Sequence, residues 1–163
     1  YAAYPLGRGE MQITEAHLAK YDANDARGRF FEEGESINGD LGLLTSKWHA
    51  LYKAIPVFRL AEMYLTRAEA NLHLAQQIGD NTPVEDVNLI RQRAGVDPLG
   101  AVNADQVVNE RFLELAFEGE RFLSVKRLRL TVDGHAYNEP DMVFPIPQRE
   151  IDLSNSLPQN EGY

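Results

Sequence analysis

Two interleaved rows of apolar side chains, repeating every seven residues, run through residues 55–75 (IPVFRLAEMYLTRAEANLHLA) and constrain the chain more than any other feature. Phe58, Leu65 and Leu72 form one row, and Ala61, Ala68 and Ala75 form the other, three positions on. At 3.6 residues per turn the rows merge into one stripe, so the spacing predicts a single long helix with one buried face. The alanines let a partner backbone approach closely while Phe and Leu fill the space beside them. Pro56 suits a first helical turn, where its missing N–H goes unused anyway. The partner follows directly. Thr82, Pro83 and Glu85 read as a capping box with proline at the first helical position. Val87, Ile90 and Ala94 then share a face, Arg91 and Arg93 sit in the last turn, and Gly95 ends the helix. Two helices joined by so short a loop are expected to form an antiparallel hairpin.

A third helix is expected over residues 104–118, capped by Asn103, with Val108, Phe112, Leu115 and Ala116 as its apolar side. Gly119 interrupts it, and residues 120–130 resume the helical spacing. The remainder reads as loop. Thr14 caps a short helix at residues 15–21 with Ala16, Leu18 and Ala19 inward, residues 29–32 suit a short strand, and Asn38-Gly39 marks a turn. Residues 47–52 (KWHALY) suit an extended segment. Residues 142–147 (MVFPIP) suit an extended or edge-strand segment, because two prolines do not fit a central strand. The fold class is therefore mainly α: a helical hairpin plus a third helix, covered by long ordered loops with a few short strands. A length of 163 residues suits one domain spanning 1–163.

Charge and composition exclude several functions. A net charge of −9 argues against nucleic acid as a partner, because phosphate contacts need a basic surface. The absence of cysteine removes disulfides and thiolate chemistry. No apolar run reaches the roughly 18 residues of a membrane helix. A chain opening on Tyr1 is expected to be a processed chain or a piece of a longer one.

The titratable residues read as architecture. Arg59, Glu62, Thr66, Glu69 and His73 share a face of the long helix, with Arg59–Glu62 and Glu69–His73 within side-chain reach. A bundle metal site needs Glu-x-x-His on facing helices, whereas the spacing here is Glu-x-x-x-His, and the four histidines show no ligand spacing; no metal site and no cofactor are expected. Residues 22–27 (DANDAR) fail as a calcium loop, with Ala26 where an oxygen is needed, and read as an Asx turn with Arg27 paired to a carboxylate. Glu110, Glu114 and Glu118 repeat every fourth residue and repel one another unless cations such as Arg91, Arg93, Arg111 and Arg121 lie close. The favoured reading is a Glu/Arg network joining the hairpin to the third helix. A carboxylate-pair glycosidase is the weaker alternative. Nucleophile elbows, Walker loops and dinucleotide fingerprints are absent from the sequence, so no catalytic residue is assigned.

Five short motifs, in order, carry a family resemblance. They are residues 57–65 (VFRLAEMYL) continuing to 68–70 (AEA); 88–91 (NLIR) with 93–95 (RAG); 109–111 (NER) with Glu114-Leu115; 117–121 (FEGER) ending at Lys126-Arg127; and a C-terminal set of 145–147 (PIP), Glu150-Ile151, Gln159-Asn160 and Gly162-Tyr163. Together they resemble the C-terminal portion of the RagB/SusD family. Ser124 stands where the family usually has Asp, and Glu161 where it usually has Pro. The resemblance implies tetratricopeptide-like hairpins with large loops. It also implies a non-enzymatic, lipid-anchored surface protein of the outer membrane, which binds a glycan or another nutrient and delivers it to a SusC-like TonB-dependent transporter. The anchor itself lies outside these residues. It implies Glu62, Glu69, Glu110, Glu118 and Arg121 as architecture and fixes no ligand contact. Sugar faces stack on aromatic rings, so the loop aromatics Tyr4, Trp48, Tyr52 and Tyr137 are the candidate contacts, although a lone tryptophan such as Trp48 more often fills a core. A module that docks on the transporter through its helical face is the alternative role.

Overall fold

The computed structural model describes residues 9, 11–47, 54, 56–154 and 156–163. Two compact units divide the chain, residues 1–118 and 119–163. Among the described residues no helix is long and apolar enough to cross a membrane.

The first unit is built on helices α2 (Leu60–Leu74), α3 (Pro83–Ala94) and α4 (Ala104–Glu114). Helices α2 and α3 form the expected hairpin, and α4 packs on both. Ala61, Leu65 and Ala68 of α2 meet Val87 and Ile90 of α3 and Val107 of α4 in one apolar cluster. Leu65 and Val87 are wholly excluded from solvent. The start of α3 is as its sequence dictates. The Thr82 hydroxyl accepts the Glu85 N–H, the Glu85 carboxylate accepts the Thr82 N–H at 2.7 Å, and Pro83 occupies the first turn. Gly95 closes the helix at φ +78, a left-handed conformation that glycine adopts without a Cβ clash. Asn103 and Gln106 form a second capping box at the start of α4.

The long helix is shorter than its apolar pattern. It begins at Leu60, and Arg59 is an extended N-cap residue (φ −124, ψ 143). Phe58 therefore lies outside the seam and is 78% exposed, with Val57 beside it at 81%. Pro56 precedes the helix rather than opening it. Ala75 ends the helix in the left-handed region (φ 48), so it caps rather than packs. Helix α4 stops at Glu114, and its buried face is turned relative to expectation: Val107, Glu110, Arg111, Leu113 and Glu114 point inward, while Val108 and Phe112 are half-buried.

The N-terminal part of this unit holds α1 (Glu15–Leu18), capped by Thr14, a 3-10 turn (Ala26–Phe30), and the antiparallel pair β1 (Phe31–Glu35) and β2 (Leu41–Thr45). Helix α1 is a single turn, with Ala16 and Ala19 exposed rather than inward. The hairpin register pairs Phe31 with Thr45 and Glu35 with Leu41, placing Asn38-Gly39 at its tip. The Ser36 hydroxyl accepts the Asn38 and Asp40 N–H groups there, both at 3.2 Å.

The second unit holds α5 (Glu120–Leu128), the two-residue strands β3 (Thr131–Val132) and β4 (His135–Ala136), a 3-10 turn (Pro140–Met142) and α6 (Gln148–Leu153). Asp133 and Gly134 both take positive φ (50 and 89), the conformation of the tight hairpin turn that an Asp-Gly pair favours. Residues 143–147 are extended without a strand partner. Prolines 145 and 147 remove two N–H groups, and the Gln159 carboxamide takes the place of a neighbouring strand. Its oxygen accepts the Ile146 N–H at 2.8 Å, and its nitrogen donates to the Ile146 carbonyl at 2.9 Å.

Candidate functional site

The most densely charged region of the first unit gathers around α4, where Glu110, Glu114 and Glu118 follow one another by a turn. Glu110 is almost fully buried, so its negative charge needs cations at contact distance. Arg27 Nη1 donates to Glu110 Oε1 at 2.6 Å, and Arg91 Nη1 donates to Oε2 at 3.2 Å. Glu114 receives Arg93 at 2.5 Å and Arg59 at 3.0 Å. Glu118 accepts from two nitrogens of Arg59, at 2.8 and 2.7 Å, and pairs with Lys47. Arg111, on the same helix, donates to the Thr66 hydroxyl of α2 at 2.9 Å.

The turn at residues 25–27 supplies the key cation, as an Asx turn. Asp25 Oδ1 accepts the Arg27 backbone N–H at 2.9 Å and also the guanidinium Nε. Burial disfavours the Arg27 charge, but the hydrogen bonds to Asp25 and Glu110 outweigh it and hold the guanidinium above its ordinary range. For Lys47 the balance is reversed. Burial pulls the ammonium below its ordinary value, against the opposing pull of Glu118. The ammonium also donates to the Glu114 and Ala116 carbonyls, at 3.1 and 2.9 Å, satisfying peptide groups that the end of α4 leaves open.

Beside this network lies a cavity of about 450 Å³, within the range of small-ligand sites. Its lining combines the aromatic residues Phe30, Phe31 and Tyr21 with the cations Lys47, Arg59 and Arg93. Tyr21 is anchored, donating its O–H to the Leu113 carbonyl at 2.9 Å, and burial pushes its phenol well above the ordinary range. Phe30 is 45% exposed.

The structure redistributes the residues singled out from sequence. Of the charge network, Glu110, Glu118, Arg59 and Arg91 come together. Arg59 reaches Glu118 rather than Glu62, because it lies before the helix and not on its face. Glu69 is buried, with His73 Nε2 at 3.8 Å from its Oε1. Glu62 is half-buried on α2. Arg121 belongs to α5 in the second unit, where Asp133 and Glu120 are the nearby acidic groups. Arg27 and Lys47 are network members that sequence spacing did not reveal, the first across 83 residues. Tyr4, Trp48 and Tyr52 fall outside the described residues. Tyr137 is half-buried in the second unit, with the Arg129 guanidinium 5.9 Å from its ring and its carbonyl accepting Lys126 Nζ at 2.7 Å. The aromatic lining residues Tyr21, Phe30 and Phe31 were not singled out in the sequence, where Phe30 and Phe31 show only as part of a possible strand. At Ser124 the hydroxyl donates to Glu120, occupying the place of the missing Asp.

The SusD family model matches residues 45–163, and the chain belongs to that family. It is 34% identical over 131 residues to the starch-binding protein SusD of Bacteroides thetaiotaomicron, covering 71% of this chain and 23% of that one. Among solved structures, it superposes on a SusD superfamily protein from Parabacteroides distasonis with a TM-score of 0.72 at 22% identity, over 99% of this chain and 44% of the other. It also matches surface glycan-binding protein A of Bacteroides thetaiotaomicron, solved with laminarihexaose, with a TM-score of 0.69 at 20% identity over 98% and 44%. The chain thus spans less than half the length of each of these proteins, and its tetratricopeptide-like helical fold is theirs.

Proposed function

We propose that this chain forms part of a cell-surface glycan-binding protein of the outer membrane that hands its ligand to a SusC-like TonB-dependent transporter. The similarity to the starch-binding protein SusD is the observation that carries this reading. Binding without cleavage is supported by the ion pairing of Glu110, Glu114 and Glu118. Each of these carboxylates has a guanidinium within 2.6 to 3.0 Å and is engaged in holding the fold together. The aromatic residues of the cavity lining, with Phe30 partly exposed, offer the stacking surface that sugar rings need, and Tyr4, Trp48, Tyr52 and Tyr137 remain the other proposed contacts. The test is calorimetric titration with maltohexaose and with laminarihexaose, on the native chain and on single aromatic-to-Ala variants at these positions. Saturable binding weakened at least tenfold by one substitution is the expected result. Binding to neither glucan removes the glucan reading.

A docking role has its own support. Val57, Phe58, Leu60 and Met63 are exposed together at the start of α2, forming an apolar surface suited to a protein partner. Co-purification with the transporter that fails in a Phe58→Asp variant, with glycan affinity intact, would assign this surface to docking.

A further inference from the structure

We propose that His135, Glu139 and Asp141 form a binding site for a divalent transition-metal cation of the zinc class, in the second unit. One ligand atom from each residue lies within 4.8 Å of the other two. His135 Nδ1 stands 2.6 Å from Asp141 Oδ2 and 3.1 Å from Glu139 Oε2. An imidazole nitrogen carries at most one hydrogen, so Nδ1 relieves one of these carboxylates and leaves the other facing it. A dication satisfies all three donors at once. Zinc bonds nitrogen and oxygen at roughly 2.0–2.2 Å, which sets donors about 3.4 Å apart at the tetrahedral angle. The observed separations reach that with changes of up to about 1.4 Å, within the freedom of half-exposed side chains.

The backbone aims the donors. Glu139 Oε1 accepts the Ala136 N–H at 2.9 Å, which leaves Oε2 turned to the imidazole. The Asp133-Gly134 turn places His135 at the start of β4, and Pro140 opens the 3-10 turn that carries Asp141. The Met142 N–H donates to the Glu139 carbonyl at 3.0 Å, holding that turn closed. Two carboxylates and a neutral imidazole balance a dication in charge. The imidazole favours zinc, copper or nickel over calcium and magnesium, which take oxygen ligands. The side chains of His135, Glu139 and Asp141 are 50%, 42% and 53% exposed, so an ion enters from solvent and keeps an open coordination position for water or a further ligand. The spacing His135-x-x-x-Glu139-x-Asp141 was present in the sequence, but only the turn brings its third member back to the first.

The test is zinc titration of the 163-residue chain against a chromophoric chelator, with circular dichroism to confirm the fold. One saturable equivalent is expected. Its affinity should fall in both H135A and D141N by more than the roughly 10–100-fold that losing an outer-shell partner costs. D141N preserves shape, so a folding defect in H135A does not blunt the test. No saturable zinc binding overturns the proposal. So does binding that both variants retain, which would place the metal at another histidine such as His73, or a site that takes calcium in preference to zinc.

Discussion

Two regions fasten α4 to the helical hairpin by opposite means. At the apolar seam, Leu65, Ala68, Val87, Ile90 and Val107 are held by the exclusion of water, which has no direction and tolerates a substitute of similar volume. At the charged end, Glu110 and Glu114 are held by Arg27, Arg59, Arg91 and Arg93, each at a fixed distance and angle. A buried network of this kind is no stronger than apolar packing while intact, but removing a buried carboxylate such as Glu110 is costly because Arg27 and Arg91 stay charged and largely dry. The seam degrades by increments, then, and the network by collapse of a whole group of contacts.

The sharpest way to break this contrast is Glu110→Ala, which takes the Glu110 carboxylate from both Arg27 and Arg91 and leaves Arg27 paired with Asp25 alone at close range. A loss of about 3–5 kcal/mol in unfolding free energy is expected from urea denaturation. A loss below about 1 kcal/mol would mean the network is solvated in solution. Leu65→Ala tests the seam and is expected to cost about 2–5 kcal/mol, whereas Leu65→Met should cost less than about 1.5 kcal/mol. If the volume-conserving change costs as much as truncation, the seam is as shape-specific as the network. Thr82→Ala removes the hydroxyl that caps α3, and about 1 kcal/mol is expected by the same measurement. The smallest effect is one of pH. Hydrogen bonds from the Thr82 backbone and hydroxyl hold the Glu85 carboxyl below its ordinary value of 4.5. Its contribution is therefore fully present above pH 4.5 and is lost as pH falls through the lower folded-state value. Amide exchange at Thr82 should accelerate over that acid range in the native chain relative to Glu85→Gln, and identical profiles would dismiss the carboxylate's role.

The same contrast explains what could be read from the residues. Helix α3 was legible because its signals are local: the cap, Pro83, the closing Gly95 and the apolar spacing all lie within one stretch. Phe58 was misplaced because a seven-residue repeat does not reveal where a helix begins, and Arg59 adopts the extended backbone of a cap while reaching for Glu118. The buried face of α4 was misread for a related reason. Three of its inward residues, Glu110, Arg111 and Glu114, are charged, so an apolar pattern points to the wrong side. Asp86 repeats the lesson on α3. It is completely buried, held by Arg67 at 2.8 and 2.6 Å and by Asn81 at 2.9 Å. The candidate cavity was hidden because its aromatic and cationic residues come from distant segments joined only in the folded unit. Asp133-Gly134 is a hairpin signal, but its two strands are only two residues each, too short to show an alternating pattern.

The bond from Arg27 to Glu110 closes a span of 83 residues, and this gives the molecule an order of assembly. Closing so long a chain costs entropy before any contact repays it, whereas α2 and α3 meet across an eight-residue connection. The hairpin is therefore expected to form first and the guanidinium to dock last. During synthesis Arg27 leaves the ribosome long before Glu110 exists, with Asp25 two positions away as a local partner in the interval. The Asx turn at Asp25 needs no distant residue, so it is expected to set the arginine's geometry ahead of a partner that arrives late.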